Sequence, residues 1–212
     1  MLLSMYQDIL DEYGNNDQIT IYGLELRFTD NEKYSNYILI DHHNEYNTKP
    51  STLLQVAEIL DQPLNRYQQL VVANDSNYIP GMEQLGATRA EINDIRFQDR
   101  QAQGVTIEDE RLAEYAIQNN MDKYGDLTVV KSDTPRFSTI TDRLYPYNSL
   151  LIYNEYELMF YGKGVPQVIH LFTKELTREN FFYGGGENGF AGIVANAYNY
   201  EDLQHIKVQI IN

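Results

Sequence analysis

Cysteine is absent from this chain, so neither a disulfide framework nor a thiolate metal site exists, and the cytoplasm is the expected compartment. Basic residues are scarce: 16 Lys and Arg stand against 31 Asp and Glu, a formal net charge of -15. That excludes a broad phosphate-tracking surface for long DNA or RNA. It still permits a small phosphorylated ligand held by a metal ion and a few local basic groups. No apolar run approaches the roughly 18 residues that a membrane span requires, so no membrane partner is expected. The first residues lack a basic start followed by an apolar run, so no signal peptide is expected. Tryptophan is missing too, yet tyrosine occurs 18 times in 212 residues. Exposed Tyr-rich surface suits an interface, which leaves a homodimer open. Histidine occurs only four times, and two of the four are adjacent.

Hydrophobic spacing divides the chain into a helix-rich first part and a strand-rich second part. Leu2, Met5, Tyr6, Ile9, Leu10 and Tyr13 fall at helical spacing, with Gly14 as a stop. Residues 18–28 and the apolar run 37–40 read as strands. Ser51 reads as the N-cap of a helix that Pro63 ends, and a second helix covers about 64–73. Thr88-Arg89-Ala90-Glu91 has a capping-box pattern, and Thr106 opens a further helix in the same way. The polar stretch 119–126 is the expected boundary between a first domain, 1–125, and a second, 126–212. In the second, 127–130, 149–153, 158–161, 168–172 and 206–211 read as strands, and 136–144 and 189–198 as helices. Strands and helices in this order predict an α+β domain.

Four constellations could carry chemistry. Asp41-His42-His43-Asn44 follows the 37–40 strand directly, and in open α/β sheets ligands bind beyond the carboxyl ends of strands. A carboxylate beside imidazoles suits Mn²⁺ or a similar first-row ion; a surface loop with a chance His pair fits the triplet equally well. Asn74 and Asp75 end a helical stretch, as a distant metal ligand would and as an ordinary Asx-rich turn also would. Period-two alternation puts Glu25 and Arg27 on one face of the 18–28 strand, where they pair with each other or join a site on the neighbouring strand. Gly184-Gly185-Gly186-Glu187, ahead of an expected helix, would offer backbone N–H groups to an anion, or is a plain flexible turn. His170, in an expected strand, and His205, in an expected turn, read as structural.

Taken together, these motifs resemble the DHH phosphoesterase superfamily, which includes RecJ-type exonucleases, nanoRNases and cyclic-dinucleotide phosphodiesterases. The resemblance rests on Ile40-Asp41-His42-His43-Asn44, on Asp75 some thirty residues later, and on Gly184-Gly185-Gly186 with Ala191-Gly192 at the position of the family's glycine-rich substrate loop. It implies an α/β fold: a parallel-sheet DHH-like domain with helices on both faces, and a smaller C-terminal α+β domain, with the site in the cleft between them. It implies Mn²⁺, or Mg²⁺, as one or two ions, with Asp41, His42, Asp75 and Glu25 as ligands. His43 and Asp41 take catalytic roles in this reading. Arg27, Asn44, Asn74, Gly184, Gly185, Gly186 and Glu187 would contact a small nucleotide or short oligonucleotide. The chemistry implied is metal-assisted phosphodiester hydrolysis.

The chain also departs from the family pattern. No counterpart of the family's first His/Asp-rich motif is found, and Met1–Tyr13 resembles the helix that follows it. Glu187 stands where the family has histidine, and Phe190 where it has a small residue. The nameable ligands suffice for one ion. The rival expectations are therefore a catalytically degenerate DHH-like module that binds a nucleotide or a protein, and an unrelated α/β protein in which Asp-His-His is accidental.

Overall fold

The computed structural model describes residues 3–26, 34–186 and 189–212. The chain is a mixed α/β protein that divides into two compact units, Met1–Phe97 and Gln98–Asn212. Each is built around its own sheet.

In the first unit a short 3-10 turn, Leu3–Tyr6, leads into α1, Gln7–Tyr13. Leu10 is buried, and the Gly14 N–H closes the helix on the Leu10 carbonyl. Strands β1, Ile21–Leu24, and β2, Tyr37–Ile40, pair in parallel, with Leu24 opposite Ile40. Parallel neighbours place both carboxyl ends on the same edge, so whatever follows Leu24 and Ile40 emerges side by side. Helices α2, Thr52–Ile59, α3, Arg66–Gln84, and α4, Arg89–Ala102, follow. Asn65 and Gln68 form a reciprocal capping box at the start of α3. Ser51 occupies the N-cap of α2 but makes no side-chain cap bond.

At the start of α4 the expected capping box forms: the Thr88 N–H donates to Glu91 at 2.7 Å, and the Glu91 N–H to the Thr88 hydroxyl at 3.2 Å. Arg66 first, and then the Thr88 amide, hold the Glu91 carboxyl down at about 2 against an ordinary 4.5. A depressed carboxyl contributes stability above its unfolded value and loses it as pH falls through the folded value. Glu91→Gln is therefore expected to lower the urea midpoint at neutral pH. The gap to the wild type should close as pH falls from about 4.5 to about 2, a range that urea titrations at a series of pH values would read directly.

The second unit opens with α5, Ile107–Asn119, capped by a Thr106–Asp109 box. Its sheet has six strands: β3, Met121–Tyr124; β4, Leu127–Lys131; β5, Ser149–Tyr153; β6, Leu158–Gly162; β7, Phe181–Gly184; and β8, Phe190–Ile193, in the order β3-β4-β5-β6-β8-β7. Only β4 and β5 are parallel; α6, Ser138–Leu144, lies between them in the chain. Alternate residues face opposite ways. Val129, Leu151, Leu158 and Phe160 share a core with α7, Val165–Glu175, and α8, Tyr200–Ile211. Val130, Leu150 and Ile152 share a second core with Ala113 and Ala116 of α5, Ile140 of α6 and Phe137 just ahead of α6. With both faces covered, β5 reads as the unbroken run Leu150-Leu151-Ile152.

Four expectations are corrected here. The boundary falls at Phe97, inside α4, rather than near residue 125, because α5 buries Ala113 and Ala116 against the second sheet; the C-terminal unit is consequently not the smaller one. Residues 168–172 and 206–211 are helical, not strands. In α7 the buried Val165, Val168 and Phe172 recur at helical spacing after Gly164, with Pro166 in the first turn, and in α8 Leu203 and Ile206 do the same after an Asn199 cap. A five-residue apolar run cannot by itself distinguish a strand from a buried helix face. The stretch 189–198 is not a helix: it opens with β8, paired on both sides by β6 and β7. His170 and His205 are accordingly exposed helical residues, on α7 and α8.

Candidate metal centre

The end of β2 delivers Asp41, His42 and His43; the end of β1 delivers Glu25, whose N–H continues the ladder to the Ile40 carbonyl at 2.9 Å. Glu25 holds φ 56, a left-handed conformation that non-glycine residues adopt at a cost of about 1–2 kcal/mol. Such strain persists where the surroundings fix it, and it concentrates at sites.

Asp41 is buried, and its Oδ1 accepts two bonds from His43, one from the backbone N–H at 2.8 Å and one shared with Nδ1 at 3.1 Å. The carboxylate thus folds back on its own loop and fixes the His43 ring, which remains more than half exposed. The His42 ring is largely buried, and Nδ1 lies against the first residue of α2. The Thr52 N–H donates to it at 3.2 Å, and Thr52 Oγ1 is 3.1 Å away. His42 therefore satisfies the first amide of α2. Thr52 offers Nδ1 both a donor and an acceptor, so either tautomer of the ring is satisfied on that side. The other nitrogen, Nε2, lies 3.2 Å from Asp75 Oδ2.

Asp75 reaches this position because α3 is broken. Asn77 (φ -152, ψ 30) and Tyr78 (φ 52, ψ -146) leave helical geometry, and Pro80 follows in the next turn. Proline removes a helical N–H and crowds the carbonyl four residues earlier, here that of Ser76. Gly81 then packs against the first segment so closely that a Cβ would sit 2.4 Å from the Ala73 carbonyl oxygen. Asp75 stands at the last turn before the break.

Glu25 Oε1 lies 3.8 Å from His42 Nδ1 and 4.0 Å from His43 Nδ1. One donor atom each from Glu25, His42 and His43 falls within 4.8 Å of the others. The His42 and His43 rings are 4.2 Å apart between centroids. The described donors therefore surround one ring, with Glu25 and His43 on its Nδ1 side and Asp75 on its Nε2 side. A cavity of about 610 Å³ adjoins Glu25, walled by Tyr6, Leu10, Leu24 and Tyr37 among others.

Of the residues singled out in the sequence, Glu25, His42, His43 and Asp75 come together, and Asp41 supports His43. Asn74 turns to Arg96 of α4, whose Nη1 donates to its Oδ1 at 3.0 Å. Asn44 begins a 3-10 turn, Asn44–Tyr46. Arg27 and Glu187 lie outside the described residues. Gly184 ends β7 opposite Phe190, and the helix expected over 189–198 is replaced by the strand β8. Gly185 and Gly186 follow β7 with φ 72 and 69. The spacing of motifs did not point to Thr52 or Arg96. A threonine opening the next helix, and an arginine among the apolar positions of α4, were the only signals available.

No family model matches the chain, and no curated protein matches it. Among solved structures it is similar to the pGpG-specific phosphodiesterase PggH from Vibrio cholrae, at 13% identity and a TM-score of 0.41, over 97% of this chain and 86% of that one.

Proposed function

We propose that the chain is a metal-assisted phosphodiesterase acting on a small nucleotide or short oligonucleotide, with a divalent ion of the Mn²⁺ or Mg²⁺ type at the His42–Asp75 pair. The observation that carries this reading is the convergence of Glu25, His42, His43 and Asp75, from three separated chain segments, beyond the carboxyl ends of two parallel strands.

The donors fit such an ion. Ligand atoms about 2.1 Å from a first-row or magnesium ion sit roughly 3.0–3.5 Å from one another, and His42 Nε2 and Asp75 Oδ2 are 3.2 Å apart. Imidazole nitrogen with carboxylate oxygen is a donor set suited to Mn²⁺ and its neighbours. When bound, the ion would supply a water of lowered pKa and positive charge for the phosphoryl oxygens. With Nε2 holding an ion, the hydrogen would sit on Nδ1, which would then donate to Thr52 Oγ1 instead of accepting from the Thr52 N–H, the kind of outer contact that fixes a ligating ring. Asp41 holds the exposed His43 ring in place to meet a phosphate. Glu25 adds a carboxylate beside both rings. The order of Asp41-His42-His43 and Asp75 along the chain agrees with the DHH resemblance.

Two described donors, His42 Nε2 and Asp75, meet at the proposed ion, while Glu25 and His43 stand on the Nδ1 side of the ring, so the described residues favour one ion over two. The same count favours, as a second reading, a degenerate DHH-like module that binds a nucleotide or a protein without turning it over. The test is hydrolysis of bis-p-nitrophenyl phosphate, linear dinucleotides and cyclic dinucleotides, with and without Mn²⁺, beside His42→Ala. Turnover that needs Mn²⁺ and disappears in His42→Ala supports the phosphodiesterase. A dinucleotide that binds the wild type without turnover supports the second reading.

A further inference from the structure

We infer that Arg96 is a positioning residue for the metal centre: it latches the break in α3 that presents Asp75 to His42. This rests on the reading of His42 and Asp75 as metal ligands. Asp75 sits between two residues that Arg96 holds. One position before it, Asn74 accepts from Arg96 Nη1 at 3.0 Å; three positions after it, the Tyr78 ring lies under the Arg96 guanidinium at 4.6 Å. Arg96 is only 8% exposed, on the same helix as the buried Ile92 and Ile95.

Three features make this arrangement a latch rather than a surface contact. Tyr78 holds φ 52 and ψ -146, a conformation that persists only where neighbours over-determine it. The guanidinium lies over the Tyr78 ring while its Nη1 donates to Asn74, a pair of contacts suited to a broad five-donor fork and poorly matched by the compact ammonium of lysine. And Asp75 has its carboxylate set largely by where the helix stops, since its side chain is 39% exposed and meets His42 at 3.2 Å. If the break relaxed by even part of a turn, the residue at position 75 would rotate off His42, because successive helical residues are about 100° apart.

The experiment is a Mn²⁺ titration of the full chain, wild type and variants, with thermal midpoints measured in parallel. Arg96→Ala is expected to weaken Mn²⁺ binding about 10-fold, the low end of the loss when a group supporting a ligand is removed, since Arg96 holds the neighbours of Asp75 rather than Asp75 itself. Arg96→Lys, which keeps the charge, is expected to fold and to fall between the two. Asp75→Asn supplies the readout that a merely structural role would not move. In that background Arg96→Ala should cause no further loss, since Arg96 acts only through Asp75. Unchanged affinity in a folded Arg96→Ala or Arg96→Lys, or an equal loss with and without Asp75, overturns the latch. If the wild type binds no Mn²⁺, the metal reading falls, and the latch is then decided by amide exchange. Faster exchange in Arg96→Lys confined to residues 73–81 upholds it, and wild-type exchange there overturns it.

Discussion

Arg100→Met is expected to destabilise the second unit by about 3–5 kcal/mol, the usual cost of removing one partner from a buried ion pair. Arg100 leaves the end of α4 and is 6% exposed. Its Nε and Nη2 reach both oxygens of Glu110 on α5, at 2.9 and 3.2 Å, while Nη1 pairs with Asp142 on α6. Glu110 and Asp142 are as buried as Arg100. Arg143 adds a second cation, bonding Glu110 at 2.5 Å and the more exposed Glu114 at 3.0 Å. With Arg100 gone, Glu110 keeps Arg143, but Asp142 stays buried without that guanidinium. Methionine fills most of the volume, so the loss reports charge rather than a cavity. Arg100→Met combined with Asp142→Leu should recover much of it, since apolar replacement of a whole buried pair is often neutral or better. Urea unfolding of the two single variants and the double variant decides this. If the double variant is no more stable than Arg100→Met, the pair is not the source of the effect.

What the sequence made legible follows from local chemistry. The 37–40 strand, the helix starting after Thr106 and the turn-bounded strands 149–153 and 158–161 were readable because apolar spacing and capping residues agree there. The candidate site was readable in part, since its histidines and Asp75 stand in a recognisable order and the strand ahead of the histidines carries them to one edge. Three things were not readable. The helices at 165–175 and 200–211 show short apolar runs that suit a strand equally well, and only their packing across one sheet face selects the helix. The glycine run reads as the approach to a helix over 189–198, and the pairing of β7 with β8, which makes 190–193 a strand, lies outside what local sequence shows. Asp75 looked like the end of a helix, and it is, but the helix resumes after two residues. Arg96, eighteen residues beyond Tyr78, gives no sign in the sequence of holding that break.

Asp75→Asn is expected to lower Mn²⁺-dependent turnover by about 10²–10³, comparable to removing one charge-stabilising group from an active site. The substitution is nearly isosteric, so the amide oxygen stays near His42 Nε2, but the negative charge that a hard divalent ion needs is lost. Stability should hardly change. Asp75 is 39% exposed, and an accessible pair with His42 contributes no more than about 1 kcal/mol. Glu25→Gln, at 46% exposure, should behave in the same direction with a smaller loss, because Glu25 faces the Nδ1 side that Thr52 already occupies. His43→Ala separates the roles further: Asp41 and His43 bond to each other rather than to Asp75, so Mn²⁺ binding should survive while turnover falls. The decisive comparison sets turnover against Mn²⁺ affinity and thermal midpoint for all three variants in the full chain. A large loss of turnover in Asp75→Asn at an unchanged midpoint ties the carboxylate to the chemistry. Full Mn²⁺-dependent turnover in Asp75→Asn would remove it from the centre, leaving Glu25 and the two histidines as the only described donors and the left-handed turn at Glu25 as the feature on which any metal site must then rest.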